Sequence, residues 1–112
     1  RIINLTGMNA IHGYSGRAPV SVAKHGVWGL TKALAKEFGS SGITVNAISP
    51  GPIRPEHDDP IQSQHLHGQV GRIPLGHLGE PYHIASLCAY LISEGGGFVS
   101  GQMIACNGAA ET

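Results

Sequence analysis

The stretch that most constrains this chain runs from Val20 to Ile48. Its first part, VSVAKHGVWGLTKALAKEF, sets Val20, Ala23, Val27, Leu30 and Leu34 at alternating steps of three and four, the period of one α-helical face. Ala, Leu, Lys and Glu fill its second half, all strong helix formers. Gly39 stands where such a helix stops, Ser40 to Gly42 make the turn, and Ile43 to Ile48 (ITVNAI) is an apolar strand. A helix turning tightly into an apolar strand is the second half of a βαβ unit, which needs a parallel strand ahead of the helix. Arg1 to Leu5 (RIINL) supplies it, short, apolar and β-branched, and reads as a buried strand.

The other segments fit around that unit. Thr6 to Pro19 is rich in Gly, Ser, Asn and Pro and reads as a loop. Ser49 to Pro55 (SPGPIRP) carries three prolines and a glycine, so it reads as irregular, stiff backbone just past a strand's carboxyl end. Ligands bind at that edge of open α/β sheets. Glu56 to Arg72 is polar and His-rich with weak helical character, and reads as a mobile flap. Pro81 suits the first position of a helix that buries Ile84, Leu87, Cys88 and Leu91. Gln102 to Cys106 is a third strand, and no repeat or linker divides the chain. One α/β domain with parallel strands and flanking helices is expected over residues 1–112.

Composition removes several classes of partner. Seven Lys and Arg balance seven Asp and Glu, so no net field favours nucleic acid or an anionic membrane. No apolar run reaches the roughly 18 residues of a membrane span. Cys88 and Cys106 lie in apolar segments and read as reduced core residues. A soluble, cytoplasmic chain is the expectation. It opens on Arg1 directly ahead of a strand and reads as cut at an element boundary.

RIINLTG, then AKHGVWGLTKALAKEFGSSGITVNAISPGPI, then IPLGHLGEP and FVSGQMIACNG, resemble the C-terminal half of short-chain dehydrogenases/reductases. The resemblance covers nearly the whole chain. It implies a Rossmann-like parallel sheet (the C-terminal half, about three strands), NAD or NADP as cofactor, and a homodimer or homotetramer. It implies hydride transfer on a small alcohol or carbonyl substrate. It also implies that Lys24 holds the nicotinamide ribose, and that Pro50, Gly51, Pro52 and Ile53 pack on the nicotinamide, the Ile53 backbone meeting its carboxamide.

The chain departs from that family in two ways. No Gly-rich phosphate loop is present, since the GGG at Gly95 follows a helix, the wrong context for a phosphate cradle. The family's Tyr-x-x-x-Lys motif, with a Ser about thirteen residues before the Tyr, falls on Val20, Lys24 and Gly7. Lysine is kept; the phenol and the hydroxyl are not. Valine neither gives nor takes a proton, so the family's acid/base step cannot pass through Val20. Tyr14 is the nearest other phenol, with Thr6, Ser21 and His12 as lesser stand-ins, and all four are equally accounted for as ordinary loop or helix residues. The expectation is a segment of an NAD(P)-dependent oxidoreductase, inactive as this chain, with a non-catalytic protein acting through dimerisation as the alternative. His57, Asp58, Asp59, His65 and His67 match no standard zinc spacing and read as a solvated flap, so no metal is expected. Proline at 55, where the family usually has Thr, offers neither hydroxyl nor N–H.

Overall fold

A computed structural model describes residues 1–57 and 59–110 of the chain. Three strands form one parallel sheet in sequence order, β1 (Ile2–Leu5), β2 (Val45–Pro50) and β3 (Met103–Cys106). Ile48 at the centre pairs with Leu5 on one side and Ile104 on the other. Helix α1 (Ala18–Phe38) joins β1 to β2 and packs on both, as the βαβ reading requires. Helices α2 (Pro60–Val70) and α3 (Pro81–Ile92) lie between β2 and β3, and α3 packs on β2. The core sits along β2, where Val45, Ala47 and Ile48 are fully buried, with Leu91 of α3 beside them. None of the described helices is long and apolar enough to cross a membrane.

Helix α1 is where the sequence pattern misleads. Val20, Ala23 and Leu30 of the expected inner face are exposed, and Val27 and Leu34 are only half-buried. The side toward the sheet carries Ser21, Lys24, Val27, Trp28, Thr31, Leu34, Ala35 and Phe38. Thr31 is fully buried because its hydroxyl is paired twice: it donates to Val27 O at 2.8 Å and accepts from Asn4 Nδ2 at 2.9 Å. A satisfied hydroxyl costs little to bury, so a polar residue can take the inner position. The apolar stripe is thus split: Val27 and Leu34 turn inward with Thr31, while Val20, Ala23 and Leu30 look outward.

The ends of the elements also differ from expectation. Gly39 continues as a 3-10 turn, Gly39–Ser41, and the left-handed residue that ends the helix is Gly42, at φ 74°. Pro50 belongs to β2, although the SPGPIRP run was expected to be irregular. In register with Cys106, Pro50 leaves the ladder bond to Gly51, whose N–H donates to Cys106 O at 3.0 Å. Its missing N–H faces the side where β1 has already ended, so no bond is lost. The expected loop before α1 contains a 3-10 turn, Met8–Ala10, and the expected flap carries the eleven-residue helix α2. Strand β1 is less buried than expected: Ile2 and Leu5 are exposed, because β1 has a neighbour on one edge only. Helix α3 follows its signals, with Glu80 and His83 forming a reciprocal cap ahead of Pro81. Cys88 and Cys106 are free and half-buried.

Candidate functional site

Parallel pairing brings the carboxyl ends of all three strands to one edge of the sheet. Leu5, Pro50 and Cys106 close the strands there, and the backbone continues as Thr6–Gly7, Gly51–Ile53 and Asn107–Gly108. Lys24 reaches this edge from α1. Its Nζ donates to Leu5 O at 3.3 Å, so the ammonium sits at the mouth of β1. Spacing along the inner face puts it there, one turn past Ser21 and two turns before Thr31.

Val20 lies one turn earlier on α1 and is 37% exposed. Gly7 follows β1 at φ 147° and ψ 171°, a backbone geometry that strains any residue with a Cβ, although space around it is open. A serine hydroxyl at this position therefore needs a reshaped loop. Ser21 Oγ is buried with no hydrogen-bond partner among the described residues. Thr6 is committed, its hydroxyl donating to Ile48 O at 3.0 Å, and His12 packs edge-on against Tyr14 at 6.4 Å between ring centres.

The Pro50–Ile53 turn is held rigidly. Gly51 lies so close to Asn107 that a Cβ would sit 2.6 Å from its Cα. Ile53 bridges to Gly79 in parallel fashion: Gly79 N–H donates to Pro52 O at 2.9 Å and Arg54 N–H donates to Gly79 O at 2.8 Å. Such a bridge uses the peptide groups on either side of Ile53. Its own N–H and C=O point away from Gly79, and no hydrogen bond among the described residues uses them. One donor and one acceptor, side by side, match the two ends of a carboxamide. Lys24 and Ile53 stand at the same sheet edge, the one from α1 and the other just past β2. The described residues provide no Gly-rich cradle at a helix start, and Pro55 offers no donor.

Two cavities flank this turn, and Pro52 lines both. The first, about 380 Å³, lies between the loop ahead of α1 and the end of α2, with Tyr14 and Arg17 on one wall and His65 and Arg72 on the other. The second, about 410 Å³, is more apolar and lies between Ile53, the start of α3 and Cys106–Gly108. Tyr14 was singled out in the sequence and does line the first cavity; Val20 and Lys24 line neither. Arg17 and Arg72 were missed, being 55 residues apart with no shared motif, and only the placement of α2 brings them together. The helical reach of Glu56 to Arg72 was the available signal.

Among the described residues no three His, Cys, Asp or Glu side chains gather as a metal site. His65 and Gln69 bond to each other at 2.7 Å, and His67 Nδ1 meets Ser63 O at 2.7 Å. Asp58 lies outside the described residues.

The family model described as enoyl-(acyl carrier protein) reductase matches residues 1–109. Acetoacetyl-CoA reductase of Shinella zoogloeoides is 44% identical over 109 residues, which are 96% of this chain and 45% of that protein. In three dimensions the chain resembles a blue fluorescent protein from a metagenomic library, solved with NADPH. The TM-score is 0.87 and identity 33%, over 100% of this chain and 45% of the other. It also resembles a 4-hydroxyisoleucine dehydrogenase solved with NADH, at TM-score 0.87 and 33% identity, over 99% of this chain and 47% of the other. The chain spans about half the length of the curated relatives it matches.

Proposed function

The chain belongs to the short-chain dehydrogenase/reductase family, whose cofactor is NAD(P), and from that premise we propose that it is the nicotinamide-side half of an oxidoreductase for an alcohol or carbonyl, without turnover of its own. The observation that carries this is the pairing of what is kept with what is lost at one sheet edge. Lys24 Nζ stands at the mouth of β1 and Ile53 offers a free donor and acceptor, while Val20 and Gly7 hold the positions of the family's phenol and hydroxyl.

When bound, the dinucleotide supplies or takes a hydride at its nicotinamide ring. Lys24 would donate to the ribose hydroxyls beside that ring, and Ile53 would orient the carboxamide, with Pro50, Gly51 and Pro52 as the rigid backing. Carbonyl reduction also needs a proton on the oxygen, and neither Val20 nor Gly7 can give one. Tyr14 is the one phenol lining the neighbouring cavity and is the residue to examine if turnover is found. With the pure chain, NADH or NADPH and a panel of ketones, nicotinamide absorbance is expected to fall no faster than in the protein-free blank. A steady rate proportional to chain concentration contradicts the proposal.

The outward face of α1 supports a homo-oligomer. Val22 is 74% and Leu30 50% exposed, and Gly26 and Gly29 have nothing within 4 Å of where a Cβ would stand. A flat apolar helix face of this kind suits a two-fold pairing with a second copy. The expected result by ultracentrifugation is a dimer or tetramer for the natural chain and a monomer for Leu30→Glu. Equal masses for the two argue against it. We place the protein in the cytoplasm, a reducing setting that suits the free thiols of Cys88 and Cys106.

A further inference from the structure

The first cavity carries a chemical signature of its own. Arg17 enters it from the residue just before α1, and Arg72 from just past the end of α2, on the facing wall. No carboxylate is among its described lining residues, and neither arginine forms an ion pair among the described residues. In a chain with no net charge, two arginines without an ion pair among the described residues line one small cavity.

The surroundings add to that bias. Helix α1 runs 21 residues from this wall, its cap residue Arg17 makes no side-chain capping bond, and its first turn has no acidic residue. The positive end of the helix is therefore uncompensated. Gln69 bonds to His65 across one turn of α2, which fixes both polar side chains along the Arg72 wall. A volume of about 380 Å³ suits a molecule of small metabolite size.

We infer that this cavity takes a small molecule bearing a carboxylate, an oxo or hydroxy acid in the terms of the proposed function, held between Arg17 and Arg72. Guanidinium forks match a carboxylate's two oxygens with parallel charge-assisted bonds. Pro52 lines this cavity and belongs to the turn that would back the nicotinamide, so the cavity adjoins that turn. Carboxylate binding rests on the cavity alone; the oxo or hydroxyl group rests on the proposed function.

The test is a titration of the chain, followed by amide NMR, with 4-oxopentanoate, its neutral methyl ester and inorganic phosphate. The acid is expected to shift resonances around Arg17 and from Gln69 to Arg72, and to bind at least about tenfold more tightly than the ester. Arg17→Gln and Arg72→Gln, both at exposed positions, should each weaken the acid by about tenfold and leave the ester unchanged. Equal binding of acid and ester overturns the inference, as does an unaltered acid affinity in both variants. Phosphate binding as tightly as the acid overturns the carboxylate assignment in favour of a general anion site. None of these readouts uses the dinucleotide, so this inference and the proposed function fail separately.

Discussion

Ile48→Ala is expected to remove a large share of the chain's stability, about 2–5 kcal/mol, read as a large fall in the urea midpoint followed by circular dichroism. Ile48 is 0% exposed and sits at the middle of the middle strand, in register with Leu5 and Ile104. Alanine there leaves a void that neither neighbour can fill without sliding the sheet. A domain of this size has only about 5–15 kcal/mol in total, so a loss of that order leaves a large unfolded fraction. Ile48→Val, which removes one methyl, should cost about 1 kcal/mol. A midpoint for Ile48→Ala within error of the natural chain would mean that the core does not lie along β2.

Gly51→Ala is expected to act on the site and on the fold together. The added Cβ would meet Asn107 Cα and Cβ at 2.6 Å, and backbone on one side cannot rotate away as a long side chain can. The carboxyl ends of β2 and β3 must then part, at a cost of about 1–3 kcal/mol. That movement takes Pro52 and Ile53 with it, so the N–H and C=O of Ile53 shift from their present place at the sheet edge. The expected result is a folded chain with a lowered urea midpoint and no response to nicotinamide mononucleotide. Retained response with unchanged stability would show that the turn is not held by this contact.

How much of this was legible in the residues differs by element. The α1–turn–β2 unit was plain because helix period, turn chemistry and strand composition agree locally. The inner face of α1 was not, since hydrophobic periodicity reads polarity and cannot see that Thr31 would be satisfied by Asn4 and Val27. Pro50 looked like a strand breaker because a sequence does not show which side of a strand lacks a neighbour. Lys24 was picked out through the family resemblance, by its spacing from Val20 and Gly7. Its contact with Leu5 O was not, because it depends on the helix face that periodicity misassigned. Arg17 and Arg72 carry no local pattern at all and meet only through the placement of α2.

The central claim is that Lys24 and the Pro50–Ile53 turn form the nicotinamide side of a dinucleotide site, without the other side. A titration of the natural chain with nicotinamide mononucleotide and, in parallel, with AMP tests it most directly, read by amide NMR. Nicotinamide mononucleotide is expected to shift the resonances of Lys24, Gly51 and Ile53, Lys24→Met to lose the effect, and AMP to leave the spectrum unchanged. Shifts with AMP alone, or a nicotinamide mononucleotide response that survives Lys24→Met unaltered, would contradict it.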